Sequence, residues 1–197
     1  MNIDNREKLL GAGVELLSEK TFSEISMDQV AERSGVSKPM IYYYFNNKEG
    51  YYRALAEYLL KMARSVMQKL YDPSKTMRQN LVDYVRFRMD YVEENPGIAN
   101  AFLSIITDPN IGMLINEVQQ EFDVMRMEFI EPMFDKAVAR GEIRPDANRM
   151  IVMMMLNSLL VSYTVKKINR LCEYQELVPE EVVDIVFDGI SAVREDN

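Results

Sequence analysis

Lys38, Pro39, Met40, Tyr42 and Tyr43 are gathered in the run KPMIYYYF. Together they supply an ammonium, a thioether and two phenols, groups that donate hydrogen bonds to anionic oxygens and lay apolar surface against flat rings or methyl groups. Ser26 and Ser37 add hydroxyls upstream, and Lys48 adds a second ammonium just downstream. This is chemistry for binding. The chain has no His, its single Cys172 therefore has no imidazole to activate it, and neither a GxSxG turn nor a phosphate loop occurs. Glu93-Glu94 and Glu180-Glu181 are sequence neighbours, so each pair diverges around a helix instead of converging on one substrate. We therefore expect no enzyme, with no catalytic residues, no metal and no cofactor.

The elements that must carry these side chains are legible from local signals. Ser26 with Gln29 three residues later forms a capping box that starts a helix at Met27. Gly35 ends that helix, because glycine takes the left-handed conformation other residues resist. Val36 then points inward, Ser37 is placed to cap a second helix, and Ile41 and Phe45, four apart, share its inner side. That assignment turns Pro39 and Tyr43 outward, puts Met40 and Tyr42 on the flanks and leaves Lys38 at the amino end. A small Ala31, the turn at Gly35 and the branched Ile41 allow a close, steep crossing of the two helices, the geometry of a helix-turn-helix. Residues 4–20 carry Leu9, Leu10, Ala12, Val14, Leu16 and Leu17 at helical spacing, and Phe22 and Ile25 should close the small core. Asn46 with Glu49 reads as a second capping box opening a long fourth helix to about Tyr71. Tyr44 is expected in the core.

A net charge of −8 argues against a polyanionic partner until its distribution is considered. Between Arg33 and Tyr71 the basic residues Arg33, Lys38, Lys48, Arg53, Lys61, Arg64 and Lys69 outnumber the acidic Glu49 and Glu57. The local excess is positive where the outward face lies.

The segment VAERSGVSKPMIYYYFNNKEGYYRAL, with Ala12, Leu16, Leu17 and Phe22 before it, resembles the amino-terminal domain of the TetR family of bacterial transcription regulators. Pro39-Met40 departs from the Gly-Thr or Gly-Ala frequent in that family, and Thr21 stands where a glycine is frequent. The resemblance implies that Ser26, Ser37, Lys38, Pro39, Met40, Tyr42, Tyr43 and Lys48 meet double-stranded operator DNA. It also implies a carboxy-terminal cage of helices around a small-molecule effector.

After Pro73 the chain reads as further helices divided by Pro96-Gly97, Asp108-Pro109, Gly141 and Pro145, with no alternating strand pattern. The expected helices run 74–94, 98–107, 111–140, 148–172 and 179–193, with Pro132 bending the third near Glu128. The fold class is thus all-α, an amino-terminal three-helix helix-turn-helix domain over residues 1–48 joined to a larger helical effector-binding and dimerisation domain over 49–197. Phe87, Tyr91, Phe102 and Met125 are the candidate ligand-pocket residues, although each alone reads equally as core filling. A single recognition helix covers too few base pairs for useful specificity, so a two-fold homodimer is expected. Its seam is assigned to Met150, Met154, Val161 and Val165 of the penultimate helix and to Val182, Val183, Val186 and Ile190 of the last, with packing inside one subunit as the competing explanation. The lone Cys172, the absence of a leader-length apolar run in MNIDNREKLL and the polar Asn157, Ser158 and Ser162 within Met150–Val165 suggest a cytoplasmic protein without a membrane partner. The functional expectation is a ligand-responsive transcriptional repressor that holds a palindromic operator as a homodimer and is released by a small apolar or amphipathic molecule. The alternative is a helix-turn-helix regulator controlled by a protein partner or lacking a small-molecule effector.

Overall fold

The computed structural model describes residues 4–107, 115–169 and 177–189, and among them there is no strand. The described chain is all-α, in the order α1 (Asn5–Leu17), α2 (Met27–Ser34), α3 (Lys38–Phe45), α4 (Lys48–Leu70), α5 (Met77–Glu94), α6 (Pro96–Thr107), α7 (Ile115–Met125), α8 (Glu131–Ala139), α9 (Arg149–Asn169) and α10 (Pro179–Asp188). A short 3-10 turn at Phe22–Glu24 precedes α2. Cys172 and Ile190 lie outside the described residues.

The stretch expected as one helix over 111–140 is, in its described part, α7 and α8 joined by a π-type turn at Arg126–Ile130. The cause is Pro132, which has no N–H to offer the carbonyl of Glu128. A wider register absorbs the missing bond while the backbone stays right-handed helical on both sides, at Met125 and Glu131. The proline adjusts the helix without dividing it.

Packing gathers the chain into two units, Met1–Arg64 with Asn95–Phe122 and Ser65–Glu94 with Asp123–Asn197. This partition differs from the functional boundary expected at residue 48, since α4 begins in the first unit and ends in the second. The first unit is built on Leu9, Leu10, Leu17, Ile25, Val30, Ile41, Phe45, Tyr51, Leu55 and Leu59, all buried, with Ala101 of α6 among them. The heptad-like spacing of the α1 leucines is what presents them to this core.

The second unit is built on Leu81, Val85, Phe134, Ala137, Ile143, Leu156, Leu160 and Val183. Its buried Asn80 is satisfied, donating to the carbonyls of Asp72 (2.9 Å) and Thr76 (3.1 Å) and accepting from the Asp72 amide (2.9 Å). Arg78 forks onto Asp184 through Nε–Oδ1 (2.6 Å) and Nη2–Oδ2 (2.8 Å), tying α5 to α10. The Asp184 carboxyl is held below its ordinary value, chiefly by those hydrogen bonds. Among the described helices, α9 is long and apolar enough to cross a membrane by length and composition. Its Val152, Leu156, Leu160 and Thr164 instead form one buried stripe of the second unit, and Asn157 accepts a hydrogen bond from Tyr84 Oη at 3.0 Å.

Candidate nucleic-acid interface

The capping box that starts α2 is closed in both directions. The Ser26 amide donates to Gln29 Oε1 (2.9 Å), and the Gln29 amide donates to Ser26 Oγ (3.3 Å). Gly35, at φ 66°, makes the left-handed turn that ends α2 and lets Val36 drop into the core. Ser37 occupies the cap position of α3, but its side chain makes no capping bond there, contrary to expectation; its carbonyl instead accepts the Met40 amide at 2.9 Å. Pro39 in the first turn needs no donor and fits without strain.

The inner side of α3 is Ile41 and Phe45, both buried. On its outer side Pro39 and Tyr42 are exposed, and Tyr43 stands 76% exposed. Tyr44 packs against the core, its ring edge-on to Tyr43 with centroids 5.3 Å apart. Met40 is half-buried and also touches the core, so only part of its thioether surface is offered outward. Lys38 reaches the Asp28 carboxylate through Nζ, at 2.8 Å to Oδ1 and 2.9 Å to Oδ2, and this hydrogen bond raises its pKa. Lys48 is exposed and pairs with no carboxylate among the described residues; its ammonium lies 5.2 Å from the centroid of the Tyr52 ring.

The expected capping box of Asn46 with Glu49 does not form, and a one-sided cap stands one residue later. Asn46 leaves α3 with φ 64° and ψ −47°, the centre of a γ-turn closed by the Asn47 amide on the Phe45 carbonyl (2.8 Å), and its own amide donates to the Tyr42 carbonyl (2.8 Å). Asn47 then caps α4, accepting the Gly50 amide at 2.7 Å, while Glu49 pairs with Arg53 at 3.3 Å. Two adjacent asparagines serve two successive needs, and the exit from α3 consumes the first.

Two residues that the sequence pattern did not single out set where α3 sits. Tyr51 Oη donates to the Leu9 carbonyl of α1 (2.8 Å), and its ring meets Phe45 of α3 edge-on at 5.2 Å. Burial pushes the Tyr51 phenol pKa well up. Tyr52 Oη donates to the Ile25 carbonyl just before α2 (2.6 Å), and its ring meets Phe22 edge-on at 5.7 Å. Adjacent tyrosines thus tie the start of α4 to α1, to the entry of α2 and to the end of α3. The only available signal was an aromatic pair following a cap; their acceptors, 42 and 27 residues away, leave no mark in sequence.

The remaining expected residues divide by environment. Phe87 and Tyr91, both half-buried, are brought together on α5 with ring centroids 5.3 Å apart. Met125 is half-buried at the end of α7. Phe102 packs against the core of the first unit, the core-filling role named as its alternative. On α9, Met150 and Met154 are 70% and 60% exposed, whereas Val161 and Val165 are half-buried. Val182, Val183 and Val186 correct the expected seam: they are buried in the second unit's own core and have little area left for another chain. The large apolar residue that α10 exposes is Ile185, at 75%. The apolar side of α10 was legible, but which chain would cover it was not.

A chain of helices whose second and third are short, meet at a left-handed glycine turn and present Lys38 and Tyr43 carries a helix-turn-helix. Residues 9–55 match the family model described as "Bacterial regulatory proteins, tetR family", so the amino-terminal part of the chain is similar to the DNA-binding domain of that family. Among curated relatives, the chain is 36% identical over 84 residues to the transcriptional regulator EthR of Mycolicibacterium smegmatis. That match covers 40% of this chain and spans 39% of the relative's length. Among solved structures, a TetR family protein from Vibrio parahaemolyticus superposes with a TM-score of 0.77 at 17% identity, over 95% of this chain and 98% of that one. FadR from Bacillus subtilis, solved in complex with stearoyl-CoA, superposes with a TM-score of 0.71 at 17% identity, over 95% and 99% of the respective chains. At such identities these structures share the fold.

Proposed function

We propose that this protein is a DNA-binding transcriptional regulator of the TetR family, a repressor that holds a palindromic operator as a homodimer and is released by a small apolar or amphipathic effector. The observation that carries the reading is Tyr43, a large aromatic left 76% exposed on the outer side of a helix whose inner side is fully cored. A phenol held out this way is suited to base edges and thymine methyls, and the exposed ammonium of Lys48, which pairs with no carboxylate among the described residues, is suited to a phosphate. Ser26, Ser37, Lys38, Pro39, Met40 and Tyr42 complete the proposed contact surface.

Homodimer formation is supported by the exposed stripe Met150, Ile151, Met154 and Met155 of α9, which lies opposite that helix's buried stripe. Large apolar side chains clustered on one exposed helix face are suited to cover by another protein surface. With Ile185 of α10 this stripe replaces Val182, Val183 and Val186 as the proposed seam. An amphipathic effector is supported by the shared fold with a protein that binds stearoyl-CoA, and by the half-buried aromatic pair Phe87–Tyr91.

The test is selection of bound sequences from a random duplex library by the full-length protein, followed by titration of the enriched site. A palindromic site should emerge. Tyr43→Ala should abolish preference for it by removing base contact, and Lys48→Ala should weaken binding to every sequence alike. Failure of the wild-type protein to enrich any sequence would overturn the reading.

A further inference from the structure

We propose that Asp28 is a specificity-setting residue of the nucleic-acid face, an internal phosphate surrogate that keeps Lys38 from being used against non-specific duplex. The inference rests on the DNA-binding reading above and deepens it. Asp28 lies in the first turn of α2, two residues after Ser26, and its two oxygens are straddled by Lys38 Nζ at 2.8 and 2.9 Å. Both side chains are exposed, so the pair is open to exchange with an incoming ligand. Arg33, the cation of α2, is likewise occupied, by Glu19 at 3.2 Å and Glu15 at 3.6 Å. Lys48 alone among the lysines proposed to touch DNA pairs with no carboxylate among the described residues.

The consequences differ for the two kinds of acceptor a duplex offers. A backbone phosphate that approaches the Lys38 ammonium must also approach the Asp28 carboxylate, and the like charges repel. A neutral acceptor on a base edge, such as guanine O6 or N7, meets no such repulsion. It can share the ammonium with Asp28, because a lysine has three donors and the carboxylate need not leave. Asp28 therefore selects base edges over phosphates as partners for Lys38 and lowers the affinity that every sequence shares. Lys48 has no such guard and supplies the sequence-independent contact.

The test needs no known operator. Full-length wild type, Asp28→Asn, Lys38→Met and the double variant are titrated against a fluorescent short duplex of random sequence by anisotropy, across a series of potassium chloride concentrations. Asp28→Asn should tighten binding by roughly three- to tenfold and steepen the log–log salt dependence by about 0.9, the signature of one added phosphate contact. In the Lys38→Met background the same change should yield at most about a twofold gain, the general effect of removing one negative charge. Asp28→Ser serves as a second variant, since serine is equally at home near a helix start.

An unchanged affinity and slope in folded Asp28→Asn and Asp28→Ser would overturn the proposal. So would a gain of equal size without Lys38, which would assign the effect to overall charge. Failure of the underlying DNA-binding reading looks different: wild type would show no salt-dependent binding and Lys48→Ala would change nothing, and the proposal would fall with it.

Discussion

Gly11 and Gly13 lie two residues apart in α1, and replacing each by alanine should move stability in opposite directions. An interior helical glycine changed to alanine gains about 1 kcal/mol from backbone entropy alone. A Cβ at Gly11 meets nothing within 4 Å, so Gly11→Ala should realise most of that gain. At Gly13 the same atom would stand 2.3 Å from Tyr51 Oη and 2.7 and 2.9 Å from the two Leu55 methyl carbons. Both neighbours are fully buried. Ordinary contact begins at 3.4 Å, so the phenol must retreat by about 1 Å. It can do so only by loosening its 2.8 Å bond to the Leu9 carbonyl or its edge-on contact with Phe45. Overpacking costs about 1–3 kcal/mol and a weakened hydrogen bond about 1 kcal/mol more, so Gly13→Ala should be net destabilising by about 1–3 kcal/mol after the helix gain. For a chain of this size each kcal/mol shifts Tm by roughly 2–4 °C. Thermal and guanidinium unfolding followed by circular dichroism, at one fixed protein concentration, would read both variants. The control is Tyr51→Phe, which deletes the nearest atom; in that background the cost of Gly13→Ala should shrink by about 1 kcal/mol, a coupling visible in a double-mutant cycle. A stabilised Gly13→Ala, or a cost untouched by Tyr51→Phe, would refute the assignment of Tyr51 as the residue on which α1 closes.

Met154→Glu, placed in the exposed stripe of α9, should convert a dimer to monomer by light scattering, and an unchanged mass would move the seam elsewhere. Acid should weaken the second unit for a defined reason. The carboxyls of Asp184 and Glu131 are held below their ordinary values of 3.8 and 4.5, first by the Arg78 and Arg149 hydrogen bonds respectively. Their stabilisation is therefore complete above those values and is lost as pH falls through the lower folded ones. The guanidinium midpoint should be flat between neutrality and about pH 5 and decline below about pH 4, with a shallower decline in Arg78→Met.

Much of the candidate site was legible because its signals are local. A capping box needs two residues three apart, a left-handed turn needs a glycine, and an inward stripe needs Ile41 and Phe45 at helical spacing; none depends on distant chain. The same locality explains where sequence was insufficient. Asn46 and Asn47 are equally good caps in isolation, and the choice between them was made by how α3 ends. Val182, Val183 and Val186 form an apolar stripe that looks identical whether a subunit's own core or another chain covers it, and only the packing of α5, α8 and α9 turned it inward. Tyr51 and Tyr52 reach carbonyls that become neighbours only after α1 and the entry to α2 fold back onto α4. The Asp28–Lys38 pair likewise exists only because the turn at Gly35 lays one helix start beside another. Helix identity, the turn and the outward face of α3 were determined by the sequence alone, since each follows from backbone preference and periodicity within a few residues. Which polar groups meet, which apolar stripe is left bare and which charge is already spoken for were decided by tertiary structure, because a hydrogen bond or an ion pair depends on distance in space and not on separation along the chain.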